Sequence, residues 1–119
     1  MSTDAKANDP EIPDAFVEYL RSKARRGELV TYGEVAPLLG IETGNEYFGV
    51  PVGRVLDALN RREFSQSRPL ISAIVVSADS GQPGSGYYGC ARDLRRYRGN
   101  DFEEWAMEVG RVHDYWSRH

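Results

Sequence analysis

Apolar positions along this chain fall into three helical stripes and one continuous run. Phe16, Leu20 and Ala24 recur every fourth residue between Glu11 and Arg26, with Pro13 in the first turn and Gly27 as a stop, which predicts an opening helix. Its last turns carry Arg21, Lys23, Arg25 and Arg26, where cations favour a helix C-terminus. Val52, Val55, Leu56 and Leu59 follow the i, i+3, i+4, i+7 rule and predict a helix over Pro51 to Arg62, with Arg54, Arg61 and Arg62 mainly on its outer surface. Phe102, Trp105, Val109, Val112 and Trp116 predict a closing amphipathic helix from Asp101 to Trp116. The run Leu70-Ile71-Ser72-Ala73-Ile74-Val75-Val76 is rich in β-branched residues and predicts a buried strand.

Between these elements the polar residues act as punctuation. Thr31 followed by Glu34 has capping-box spacing, so a short helix is expected after Thr31. Gly40 ends it, and Pro37 should kink it by removing a backbone donor and crowding the carbonyl of Gly33. With the Pro51–Arg62 helix one loop later, the layout is that of a helix-turn-helix. Ser77 to Gly86 is a loop dense in glycine and proline, and Tyr87-Tyr88 is expected to return as a second strand. The prediction is an α+β fold: a winged-helix-like helix-turn-helix domain over 11–119, with a small β-hairpin and N- and C-terminal flanking helices. Residues 1–10 are read as a polar, disordered tail.

Composition narrows the class without changing the fold. At 119 residues the chain can bury one core. No apolar run approaches membrane-spanning length and the N-terminus lacks a signal-peptide core, so a cytoplasmic protein without a membrane partner is expected. The single Cys90 excludes an intrachain disulfide and, with His113 and His119, has no zinc-ligand spacing; no metal or cofactor is expected. Charge does change the picture. The net of -3 conceals acidic ends around a central stretch, residues 19–100, where 12 basic side chains face 8 acidic ones. Thirteen of the fifteen basic residues are arginine, whose planar fork suits phosphate. The same arginines could equally form an ordinary solvated face.

The order Gly27-Glu28-Leu29-Val30-Thr31-Tyr32-Gly33-Glu34-Val35-Ala36, then Val52-Gly53-Arg54-Val55-Leu56, Pro69-Leu70-Ile71, Val75-Val76, Gly81 and Gly86-Tyr87 resembles the DNA-binding domain of O6-alkylguanine-DNA alkyltransferases and alkyltransferase-like proteins. The resemblance spans about residues 12 to 89. It implies a DNA partner, expected to be double-stranded, contacted through the helix-turn-helix. In that family a Pro-Cys-His-Arg motif precedes two valines, and its thiolate accepts the alkyl group. Here Ile71-Ser72-Ala73-Ile74 stands in that place. Ser72 without an adjacent base is a weak nucleophile, so no alkyl transfer is expected. The family's inserted arginine corresponds to Val50, another departure. Phe48 nearby reads either as an apolar wedge between bases or as a staple against the helix that follows. Tyr32 matches the family tyrosine that contacts the target phosphate, and the loop containing Gly81, Gly84 and Gly86, ending at Tyr87, matches the wall of the family's flipped-base pocket. The alternative for Tyr32 is packing on the first helix, and for the loop and Tyr87 a flexible connection ending in a packing residue.

The expected function is therefore a non-enzymatic nucleic-acid-binding domain using Tyr32, Arg54, Arg61, Arg62 and Tyr87. The alternative is a protein interaction module of a repair or defence complex that kept the fold without DNA binding. An enzyme reading ranks third and would rest on Cys90, if Arg92, Arg95 and Arg96 approached it and lowered its pKa.

Overall fold

A computed structural model describes residues 10–95 and 99–119. The reading of 1–10 as a disordered tail and that of Arg96 as a neighbour of Cys90 lie outside the described residues, apart from Pro10 itself.

The opening helix, α1, runs Asp14–Arg25, with Pro13 as the extended residue before it. It ends in a Schellman arrangement: Gly27 takes φ +68°, its amide donates to the Ala24 carbonyl at 3.0 Å, and the Glu28 amide donates to the Lys23 carbonyl at 3.0 Å. The chain then forms the two-residue strand β1, Val30–Thr31. Thr31 also caps α2, Tyr32–Val35, and the expected capping box is complete. The Glu34 amide donates to Thr31 Oγ1 at 3.2 Å and the Thr31 amide to Glu34 Oε1 at 2.9 Å. The anticipated irregularity at Pro37 takes the form of a 3-10 helix, Ala36–Leu39, closed by Gly40 at φ +70°.

Helix α3 runs Gly49–Ser65, longer at both ends than Pro51–Arg62. Pro51 sits within the first turn, where its missing N–H needs no intrahelical partner. The buried stripe holds Val52, Val55, Leu56 and Leu59, and then continues through Asn60 and Glu63. Closing helix α5, Asp101–Ser117, is capped by the Asn100 side chain, which accepts from the Phe102 amide at 2.8 Å and the Glu103 amide at 3.3 Å. Trp105, Val112 and Trp116 are buried as predicted, but Phe102 is exposed and Glu108 occupies the core face.

Two strand predictions are corrected. Leu70–Val76 is a 3-10 helix, Ile71–Ile74, followed by a two-residue strand β2, Val75–Val76. The segment is buried as expected, but a strand of its length has no partner, because β1 is cut short where Thr31 turns to cap α2. Tyr87-Tyr88 is not a return strand but lies in helix α4, Ser85–Arg95. Tyr87, Cys90 and Ala91 place apolar groups at i, i+3, i+4 against α3, so helical packing overrides the aromatic preference for strands. β1 and β2 pair in parallel, Val30 with Val75 and Thr31 with Val76, and no β-hairpin occurs among the described residues. The architecture is a mostly helical α+β fold.

Phe16, Leu20, Leu59, Leu70, Ile71 and Ile74 fill the centre, where α1 packs on α5 and both meet the 3-10 segment 71–74. Trp105 Nε1 donates to the Ala73 carbonyl at 2.8 Å, satisfying a buried backbone group that the short sheet leaves unpaired. No helix among the described residues is long and apolar enough to cross a membrane.

Candidate functional site

The N-terminal half of α3, the 3-10 segment at Ser72 and the start of α4 enclose a cavity of about 660 Å3. Three of the predicted site residues meet there: Tyr32, Arg54 and Tyr87. Arg61 and Arg62 do not line it, though both lie on α3.

Tyr32 reaches the site because the capping box fixes the turn into α2. Its Oη accepts the Gly84 amide at 2.8 Å, tying α2 to the loop before α4. A Cβ on Gly84 would stand 3.1 Å from that oxygen, which explains a glycine there. Burial pushes the Tyr32 hydroxyl above its ordinary pKa, partly offset by the Gly84 N–H, so it stays a neutral donor near neutrality. Gly81, at φ +71°, shapes the same loop by placing its amide on the Ser77 carbonyl at 2.8 Å. Tyr87 is almost fully buried in an edge-to-face pair with Tyr88, ring centroids 5.6 Å apart. It lines the cavity and belongs to the core, so the two readings of this residue are compatible.

The arginines divide by their partners. Arg54 is exposed at the cavity and makes no ion pair among the described residues; Arg62 likewise makes none. Arg61 is held by Asp57 at 3.0 Å and Asp93 at 3.2 Å, and those hydrogen bonds raise its already high pKa. A guanidinium engaged twice offers less to a phosphate than one that is free.

Sequence reasoning missed the cavity floor. Asn60 Nδ2 donates to Ser72 Oγ at 2.6 Å, and the Ser72 amide donates to Asn60 Oδ1 at 3.1 Å, both buried. The available signal was a polar residue on an apolar helical stripe, four positions after Leu56. Cys90 is also on the floor and only 3% exposed. Burial first, and hydrogen bonding to Asp57 second, push its thiol up to about 12. Arg92 is engaged by Asp101, and Arg95 by Glu108 at 2.9 Å, so neither is free to stabilise a thiolate. His113 Nε2 lies 3.0 Å from the Glu28 carbonyl oxygen.

Phe48, the residue that precedes α3, is half-buried against the core and does not line the cavity. The exposed apolar groups at the cavity mouth are Tyr47, 68% exposed, and Val50, 62% exposed. Both line the cavity, along with Glu46.

No protein-family model, curated protein or solved structure matches the chain.

Proposed function

We propose that this chain is a cytoplasmic, non-enzymatic DNA-binding domain related to alkyltransferase-like proteins, which sets its helix-turn-helix on double-stranded DNA and receives an extruded base in the cavity beside α3. The observation that carries the reading is a cavity lined by Tyr32 and Tyr87 that opens beside the unpaired cation Arg54 and the exposed apolar pair Tyr47 and Val50. A base-sized cavity needs stacking surface inside, a phosphate contact at the rim and a group to fill the vacated stack. Tyr87 offers the first. Arg54 and the neutral Tyr32 hydroxyl offer the second, and Val50 or Tyr47 the third.

The absence of alkyl-transfer chemistry from this reading follows from the floor. Ser72 Oγ is hydrogen-bonded to an amide rather than to a base, and Cys90 is held as a thiol. Binding without turnover is what such a floor supports.

Salt titrations of duplex binding test it. Arg54→Ala should lower the magnitude of the log–log salt slope by roughly one unit. Arg61→Ala should lower it less, because Asp57 and Asp93 already neutralise that side chain. Unchanged slopes in both variants, with measurable wild-type binding, would move the contact surface off α3. Absence of any duplex binding at low salt would favour the protein interaction module instead.

A further inference from the structure

A second cavity, about 690 Å3, lies at the opposite end of α3, between its C-terminus, the C-terminal turns of α5 and the last turn of α4. Four arginines line it: Arg68, Arg95, Arg111 and Arg118. Their carboxylate partners sit largely behind them. Glu63 and Glu108 are both 0% exposed. Arg68 binds Glu63 at 2.6 Å, with Arg21 a further 3.6 Å partner. Arg95 grips Glu108 through Nε at 3.1 Å and Nη2 at 2.9 Å, while Arg111 Nη1 binds the same carboxylate at 2.6 Å.

Two consequences follow from this layering. Each buried glutamate is met by two guanidiniums, so the cluster holds more positive than negative charge even with Asp114 counted against Arg118. Each fork has five N–H donors and these pairings use only some of them, leaving donors for a ligand. The glutamates also hold the forks in place before any ligand arrives, which lowers the ordering cost of binding. Aromatic groups complete the walls: Phe64 with the Arg95 guanidinium 5.4 Å from its ring centre, and Tyr115 stacked on His119 at 3.9 Å. The volume falls in the small-molecule range.

We propose that this arginine cavity binds a pyrophosphoryl group, free or carried on a nucleotide. Several convergent forks match a compact anion bearing more than one negative charge better than a single carboxylate, since each phosphoryl oxygen pair can take a bidentate contact. The proposal does not depend on DNA binding at the first cavity.

Calorimetric titration of the full chain with inorganic pyrophosphate, and separately with ADP, tests it. Arg111→Gln combined with Arg118→Gln should weaken pyrophosphate at least tenfold, and replacement of the exposed Arg26, which lines neither cavity, by alanine should leave it unchanged. Arg118→Gln alone, whose ion-pair partner among the described residues is the exposed Asp114, guards against a folding defect and should weaken binding about threefold. Pyrophosphate binding without ADP binding would identify the free anion as the ligand, and tighter ADP binding a nucleotide. No binding of either probe at low salt, or equal binding by the double variant and wild type, would overturn the proposal. So would a duplex-DNA affinity that falls in the double variant as far as pyrophosphate affinity does, since the cluster would then be part of a DNA surface.

Discussion

Replacing Asn60 by alanine should cost more stability than replacing Ser72, although the two side chains bond to each other. Asn60 serves Ser72 twice, through its amide nitrogen to the hydroxyl at 2.6 Å and through its carbonyl to the backbone amide at 3.1 Å. Asn60→Ala removes both bonds and leaves the Ser72 N–H at a position only 3% exposed with no acceptor. An orphaned buried donor costs about 1–3 kcal/mol and a lost neutral hydrogen bond about 1 kcal/mol, so a loss of roughly 2–4 kcal/mol is expected. Ser72→Ala keeps the backbone bond but takes the acceptor from Asn60 Nδ2, on a residue 1% exposed, and should cost about 1–3 kcal/mol, less than the loss of both bonds. For a domain of this size each kcal/mol moves the thermal midpoint by about 4 °C or somewhat more. The Asn60 variant should therefore melt on the order of 10 °C below wild type, and the Ser72 variant by about 4 °C less than that. Urea unfolding with unchanged m-values would show that the difference lies in the native state. If Asn60→Ala proved no more costly than Ser72→Ala, water entering from the cavity would be replacing the amide, and the floor would be wet rather than a dry, fixed strut.

Two further outcomes follow from single residues. Ser67 is the one non-glycine residue with positive φ among the described residues, at +60°, where it closes α3 with the Arg68 amide on the Glu63 carbonyl at 2.9 Å. Ser67→Gly should stabilise the fold by roughly 1 kcal/mol by relieving the left-handed penalty, and a lower melting midpoint would contradict that reading. The Cys90 thiol titrates near 12 when folded, against about 9 for an unperturbed thiol, so the folded state retains the proton more strongly. Stability from this group is fully present below pH 9 and is lost as pH rises towards 12, at up to about 1.4 kcal/mol per pH unit. Cys90→Ala should flatten that part of the stability–pH curve, and identical slopes for the two proteins would refute the assignment.

The helical framework was legible because it rests on local rules. Thr31 and Glu34 announce a capping box, Gly27 and Gly40 announce left-handed stops, and the stripes at Phe16–Leu20 and Val52–Leu59 announce their buried faces. The strand errors arose where tertiary context decides. Ile71–Ile74 has the composition of a strand, but its backbone partners are Trp105, Asn60 and the core rather than a ladder, and none of these is near in sequence. Tyr87-Tyr88 reads as strand until Cys90 and Ala91 are counted with it as one helical face. The site was half legible for the same reason. Tyr32, Arg54 and Tyr87 line one cavity, while Arg61 is captured by Asp93, 32 positions away, and by Asp57 one turn earlier, a pattern readable only for the second partner. The buried Glu63 and Glu108 were hidden because a charged residue on an apolar stripe reads as surface until its arginines are located.

The central claim is that the cavity beside α3 receives an extruded base. Its most direct test is the affinity of the wild-type chain for a duplex containing a single O6-methylguanine opposite cytosine, measured against the same duplex with guanine at a fixed salt concentration. A stack on Tyr87 is common to both duplexes, whereas the weakened base pair lowers the few kcal/mol that extrusion costs, so binding to the modified duplex should be tighter by about tenfold. Equal affinity for the two duplexes would contradict the claim and leave this face, at most, a contact for the DNA backbone.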